Sequence, residues 1–310
     1  MAESRFALLT TALMCLPVWG YALLQATDII KVGASMVCVA IATLLMAELN
    51  NYNALIRIYS RMVSSIFLVF VTVTAYPFDS VAYAVSTLCV VLFYTAAFHC
   101  YQDRQLMGWC YYAFVAIGVH SLFFPHVLYF LPLLWVLMLT KLLSMSLRMF
   151  CASILGILTP YWFMLLYVVW QQDYDAVINH FAALGTFTMP GDPLALLTPS
   201  QITNAALVLL CAAIGIIHYL RKRQQDRIRT QLLYEIFIYV DVFAIAVLLL
   251  QFQLYDMLLP IIIVNTAPLI AHFVALTETK WTNLMTKALM LLALLATLFN
   301  IVSNSSYVVF

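Results

Sequence analysis

Long apolar runs separated by short polar breaks fill this sequence from one end to the other. An α-helix needs about 20 mostly apolar residues to cross the hydrocarbon core of a bilayer. No strand-like alternation of apolar and polar residues appears, and helices satisfy their backbone hydrogen bonds within one segment in lipid. The pattern predicts an all-α bundle of about eleven membrane-spanning helices, at about 6–25, 30–48, 60–77, 81–100, 106–124, 127–143, 149–170, 201–220, 233–252, 256–276 and 284–303.

The sixth of these segments is short and lies in the stretch "FFPHVLYFLPLLWVLMLTK". Pro125 and His126 stand near its start, and Pro132 follows about one and a half turns further on. Proline cannot donate a backbone hydrogen bond inside a helix. We therefore expect Pro132 to kink this helix or to delay its start.

The composition supports a membrane protein. The chain is 65% hydrophobic and only 9% charged, with a mean hydropathy of +1.01, whereas soluble domains carry roughly 25% charged residues. The net charge of +1 and the lack of a basic patch exclude nucleic acid as an expected partner. The seven cysteines show no CxxC or Cys/His metal spacing, so we predict neither a metal site nor a cofactor.

The positions of Lys and Arg predict the orientation. With the N-terminus in the cytoplasm, thirteen of the fourteen Lys and Arg residues fall on the cytoplasmic side, and Lys31 is the exception. Cytoplasmic loops of membrane proteins carry this excess of positive charge. We predict that the N-terminus lies inside and the C-terminus outside. The first apolar run has no convincing cleavage site and is expected to remain as a helix.

Two loops stand out in the predicted topology. The cytoplasmic loop at about 221–232 contains five cations, which either anchor the topology or contact anionic lipid headgroups. The external loop at about 171–200 is acidic, and we expect a short interfacial helix at 174–184 and a helix cap at Ser200. No linker separates these segments, so residues 1–310 are predicted to form one transmembrane domain. The ionisable residues of the external loop are Asp173, Asp175, His180 and Asp192.

Ionisable residues inside a membrane span are costly and often functional. Asp241 lies about eight residues into the ninth predicted helix, roughly 12 Å deep. His272 lies at a similar depth on the tenth helix, so a pair between them is geometrically possible. Asn265 stands between Pro260 and Pro268 on that helix. These binding candidates form either a structural contact between helices or a path for protons or a ligand, as in a transporter.

Two resemblances add further expectations. Segments such as "NALIRIYSRMVSSIFLVFVTVTAYPFDS" and "LRMFCASILGILTPYWFMLLYVVW" resemble a family of uncharacterised multi-pass inner-membrane proteins of Bacteroidota. That resemblance implies a location in the bacterial inner (cytoplasmic) membrane and no settled activity. Residues 54–143, with "RIYSRMVSS", "YPFD" and "FPHVLYFLPLLWVLML", are similar to GT-C-type glycosyltransferases. That resemblance implies a polyprenyl-phosphate-linked sugar and a catalytic acid in the first external loop. Asp28 matches that placement, with Lys31 as the cation for the lipid phosphate.

Three functions follow from these observations. The first is a non-catalytic partner or scaffold in envelope biogenesis, which binds the lipid bilayer and an envelope protein. The second is a GT-C-like enzyme that acts on a lipid-linked substrate, with Asp28 and His126 facing one external cavity. The third is a transporter with a polar site at Asp241, Asn265 and His272.

Overall fold

The computed structural model describes residues 6–58, 60–172, 174–186, 197–276 and 280–307. These residues form α-helices and short 3-10 turns, and no strand occurs among them. We number the α-helices in chain order: α1 Ala7–Gln25, α2 Ile29–Asn53, α3 Met62–Thr74, α4 Val81–His99, α5 Met107–Phe123, α6 Leu131–Thr140, α7 Leu147–Gln171, α8 Tyr174–Ala182, α9 Pro199–Lys222, α10 Ile228–Leu250, α11 Tyr255–Leu276 and α12 Lys280–Tyr307.

Each of the eleven predicted spans coincides with a helix, and the predicted eighth to eleventh helices are α9 to α12. Within the described part of the chain, eight helices are long and apolar enough to cross a membrane. This confirms an all-α, multi-pass integral membrane protein, while the exact number of spans and the orientation stay predictions. The helix α8 lies where a short helix was predicted in the 171–200 loop. Asp173 and Asp192 fall outside the described residues.

Proline positions and caps explain two helix starts. The sixth predicted span begins as a 3-10 turn at Pro125–Phe130, and α6 starts only at Leu131 with Pro132 in its first turn. Proline is tolerated there because that N–H has no partner within the helix, so the expected late start is confirmed. The cap of α9 is Thr198 and not Ser200. Thr198 and Gln201 form a reciprocal capping box.

The chain divides into two compact units, Met1–Thr87 with Asp192–Phe310, and Leu88–Gly191. We call these unit 1 and unit 2. Unit 1 holds α1 to α3 and α9 to α12, and unit 2 holds α5 to α8, with the boundary inside α4.

The centre of unit 1 is α11. It packs against α3, α9 and α10, and 94% of its apolar span is buried, whereas the values for α1 and α12 are 11% and 17%. A helix that is apolar on all sides is covered either by other helices or by lipid, and the burial of α11 shows that other helices cover it. The exposed apolar faces of α1 and α12 are those that lipid covers in a bilayer. The polar residues of α11 therefore lie in the interior of unit 1.

Unit 2 is built on the close packing of α5 against α7. A Cβ atom on Gly118 would lie 2.8 Å from the carbonyl oxygen of Ile157, and one on Gly156 would lie 2.6 Å from that of Tyr111. Small residues allow the backbones of membrane helices to approach in this way. Both neighbouring atoms belong to the backbone and cannot move aside without separating the helices.

We expect the substitution Gly118→Ala to destabilise unit 2 by about 1–3 kcal/mol, because the added methyl group overfills the contact. A Cβ atom on Gly108, on the same helix, would meet no atom of the described chain within 4 Å, so Gly108→Ala is the matched control. Thermal unfolding in detergent measures both. Equal unfolding temperatures for the two variants would contradict the assigned packing.

Candidate functional site

The middle of unit 1 contains a buried carboxyl group. Asp241 on α10 is 0% exposed, and its Oδ2 accepts a hydrogen bond from the Thr266 hydroxyl on α11 at 3.2 Å. Its Oδ1 has no hydrogen-bond partner among the described residues. Most buried polar atoms in proteins have a partner, so this free oxygen marks Asp241 as a candidate site.

The surroundings of Asp241 favour a neutral carboxyl group. No Lys, Arg or His of the described chain forms an ion pair with it, and an unpaired charge is costly to bury. Pro268 has no N–H to donate to the carbonyl of Val264, and the Asn265 amide donates to the carbonyl of Ile261 at 2.9 Å. The backbone of α11 thus lacks one of its usual helical hydrogen bonds at Pro268.

A second polar group lies towards the end of α11 that is predicted to be cytoplasmic. His272 Nε2 lies 3.0 Å from Asp226 Oδ2, and Arg57 Nε donates to Asp226 Oδ1 at 2.6 Å. We call Arg57, Asp226 and His272 the ion cluster. It joins the loop after α2 and the loop before α10 to the central helix. The side chain of Asp226 is 0% exposed and that of Arg57 is 40% exposed.

The possible pair of Asp241 with His272 is wrong, because each side chain has another partner. The sequence placed Asp241 about eight residues into its helix, but α10 begins at Ile228. Asp241 therefore lies thirteen residues in, roughly 20 Å at 1.5 Å per residue. His272 is only four residues from the end of α11, roughly 6 Å. The two groups occupy different depths.

Aromatic rings surround His272. The ring centroids of Tyr219, Tyr234 and His218 lie 5.2, 5.4 and 5.6 Å from that of His272. The Tyr234 hydroxyl donates to the carbonyl of Pro268 at 3.4 Å. His272 Nδ1 and His218 Nε2 are both buried without a hydrogen-bond partner in the described chain. Polar atoms therefore continue along α11 from the ion cluster towards Asp241.

Asp226 is the member of the ion cluster that sequence reasoning missed. Burial alone would raise the pKa of its carboxyl group, but the hydrogen bonds and charges of His272 and Arg57 outweigh this and lower the pKa below its ordinary value. Asp226 is therefore ionised at neutral pH. The available signal was a single acid among five cations in "RKRQQDRIR". The partners of that acid are distant in sequence, so the signal did not identify them.

Asp28 serves as a helix cap. Its Oδ1 accepts hydrogen bonds from the backbone N–H groups of Ile30 at 3.2 Å and Lys31 at 3.3 Å, and its Oδ2 lies 3.3 Å from Lys31 Nζ. The backbone and side-chain hydrogen bonds of Lys31 lower the pKa of Asp28. Both predicted residues of the first external loop are thus engaged with each other at the start of α2.

His126 belongs to unit 2, whereas Asp28 belongs to unit 1. It lies in the 3-10 turn before α6, where its ring centroid is 6.2 Å from that of Tyr129 and its side chain hydrogen-bonds to the backbone of Ala183. A shared external cavity for Asp28 and His126 stays a prediction.

Asparagine caps helices as well as aspartate does. We therefore expect Asp28→Asn to unfold at the wild-type temperature and Asp28→Ala to unfold at a lower one, as measured by thermal unfolding in detergent. Equal losses in the two variants would contradict the capping role.

Among the described residues, no three His, Cys, Asp or Glu side chains form a group that could hold a metal ion. No family model matches the chain, and neither a curated protein nor a solved structure matches it. The resemblances to the Bacteroidota family and to GT-C-type glycosyltransferases therefore stay predictions.

Proposed function

We propose that this integral membrane protein is a transporter that moves protons along α11, with Asp241 as the residue that binds and releases the proton. The observation that carries the proposal is the free Oδ1 of the buried Asp241 carboxyl. Ionisable residues within a membrane span are candidates for proton relays. A purely structural contact between helices would be expected to engage both carboxyl oxygens.

The spacing of polar groups along α11 supports this proposal. Thr266 hydrogen-bonds to Asp241, and His272 contacts Asp226. Thr266 and His272 are six residues apart on α11, roughly 9 Å at 1.5 Å per residue. The Tyr234 hydroxyl lies between these two positions, at the carbonyl of Pro268. The Tyr234 hydroxyl is therefore a polar group at an intermediate position along α11.

The prolines of α11 interrupt its backbone hydrogen bonds, which would allow this helix to bend during transport. Pro260 and Pro268 lie inside the helix on either side of Thr266, and interrupted helices are common at the binding sites of secondary transporters. The ion cluster ties two loops to one end of the same helix. We infer that it keeps that end closed in this arrangement, and that proton release requires Arg57 or His272 to separate from Asp226.

The other two functions stay predictions. A scaffold in envelope biogenesis requires no proton movement, and a glycosyltransferase requires Asp28 as an acid. The transport proposal is favoured because Asp241 has an unused oxygen, whereas the carboxylate of Asp28 is engaged in capping α2.

Reconstitution into liposomes that contain a pH-sensitive dye tests the proposal. A potassium gradient with valinomycin sets a membrane potential, negative inside. We expect the lumen to acidify faster than in protein-free liposomes. Acidification at the protein-free rate would contradict the proposal, and recovery of a stable envelope-protein partner from the same preparation would then favour the scaffold.

A further inference from the structure

The end of α11 at Tyr255, opposite the ion cluster, lies beside a group of polar atoms within unit 1. Five helices contribute to this group, and hydrogen bonds link several of its members. We call it the oxygen ring. It consists of the Val73 carbonyl and the side chains of Thr74, Tyr83, Asn204, Tyr255, Asp256 and Asn300.

The first half of the oxygen ring has a defined direction of hydrogen donation. The Thr74 hydroxyl donates its one hydrogen to the carbonyl of Phe70 at 2.8 Å. The Tyr83 hydroxyl lies 2.9 Å from the same Thr74 oxygen, so Tyr83 is the donor in that contact. Its own oxygen is left with lone pairs and no hydrogen to offer. Tyr83 therefore presents an acceptor to any further group.

The second half is built on Asn300 of α12. Its amide Nδ2 donates to the carbonyl of Val73 at 2.8 Å and to Asn204 Oδ1 at 2.9 Å. Two acceptors on one nitrogen fix the orientation of this amide. Asn300 is 1% exposed, and its Oδ1 has no hydrogen-bond partner among the described residues. A buried carbonyl oxygen is thus left unsatisfied.

The start of α11 adds two further members. Tyr255 is buried beside Asn204, and Asp256 follows Tyr255 in the chain, within the range of electrostatic interaction with Tyr83. The hydroxyl of Tyr255 is buried and lacks a hydrogen bond of ordinary geometry. Asp256 itself is exposed. The ring therefore joins an exposed carboxylate to buried, unsatisfied oxygen atoms.

The backbone of α3 adds partial negative charge to the oxygen ring. Val73 and Thr74 are the last two residues of α3, and the carbonyl groups at a helix C-terminus carry partial negative charge. The ring contains one carboxylate, neutral oxygen atoms and no Lys or Arg. Hard cations bind to oxygen ligands, and helix C-terminal ends coordinate sodium in transporters.

We propose that the oxygen ring binds a monovalent metal cation, with Asp256 at its entrance and the Asn300 and Tyr83 oxygens as inner ligands. A single carboxylate among neutral ligands matches a single positive charge. This site goes beyond the proposed proton path, because none of its members hydrogen-bonds to Asp241 or to the ion cluster in the described chain.

Binding of radiolabelled Na⁺ to the purified full-length protein in detergent tests this proposal, with choline chloride holding the ionic strength constant. We expect saturable binding that unlabelled Na⁺, K⁺ or Li⁺ displaces. Asp256→Asn is expected to weaken binding by about tenfold or more, because the only charged ligand is lost. Tyr83→Phe removes one ligand oxygen and is also expected to weaken binding.

Asp175 on α8 is exposed and outside the ring, so Asp175→Asn is the matched control and should bind as the wild type does. Absence of saturable binding would overturn the proposal, as would unchanged binding in Asp256→Asn or tighter binding of Ca²⁺ than of all three monovalent ions. The assay does not measure flux. Failure of this proposal is therefore distinguishable from failure of the proton path.

Discussion

The Asp226→Ala variant is expected to lose about 1–3 kcal/mol of stability, because Arg57 and the buried His272 both lose the carboxylate to which they hydrogen-bond. Asp226 accepts from Arg57 at 2.6 Å and contacts His272 at 3.0 Å. Without the carboxylate, His272 loses the hydrogen bond that holds its Nε2, and the loop after α2 loses its attachment to the loop before α10. Thermal or denaturant unfolding in detergent measures the loss.

Glu48 provides the control for this prediction. It is an exposed carboxylate on α2, and Glu48→Ala should unfold within about 0.5 kcal/mol of the wild type. If Asp226→Ala lost no more stability than Glu48→Ala does, the stabilising role of the ion cluster would be contradicted.

The stability difference between the wild type and Asp226→Ala depends on pH because the pKa of Asp226 is lowered in the folded protein. A group whose pKa is lower in the folded state contributes stability that is fully present above its unfolded pKa and is lost as the pH falls through the folded one. The ordinary value is 3.8. The difference between the wild type and Asp226→Ala should therefore stay constant near neutral pH and shrink as the pH falls below that value.

The Asp241→Asn variant is expected to fold normally but to lose proton transport. An asparagine oxygen still accepts the Thr266 hydrogen bond, so the contact between α10 and α11 is kept. An amide cannot bind and release a proton at neutral pH, whereas a carboxyl group can. Unfolding in detergent should show a change of less than about 1 kcal/mol.

Thr266→Val is the companion variant. It removes the hydroxyl that donates a hydrogen bond to Asp241 and keeps the carboxyl group. We expect slower transport than in the wild type, and not its loss. Complete loss in Thr266→Val with normal transport in Asp241→Asn would reverse the assigned roles.

The sequence predicted the helices because each must supply an apolar surface to lipid or to its neighbours along its whole length. It also proposed Asp241 and His272 as candidates, since an ionisable residue within an apolar run is conspicuous. It did not identify their partners. Asp226 and His272 are 46 residues apart and Arg57 and Asp226 are 169 apart, and such pairings depend on how helices pack around α11, which apolar periodicity does not specify.

The oxygen ring escaped sequence reasoning for a related reason. Asn204 and Asn300 are ordinary near helix ends, where polar residues meet the membrane surface. Only the packing of α3, α9 and α12 makes them neighbours. Asp28 shows the opposite case, because the resemblance to GT-C-type glycosyltransferases implied a catalytic acid in the first external loop, although aspartate before a helix is also a frequent cap.

Proton flux in the wild type and in Asp241→Asn, reconstituted at equal density and under the same membrane potential, tests the central claim most directly. The dye signal should report acidification in the wild type and a protein-free rate in Asp241→Asn, with both proteins folded. Equal acidification by the two proteins, or none by the wild type, would contradict a proton path through Asp241.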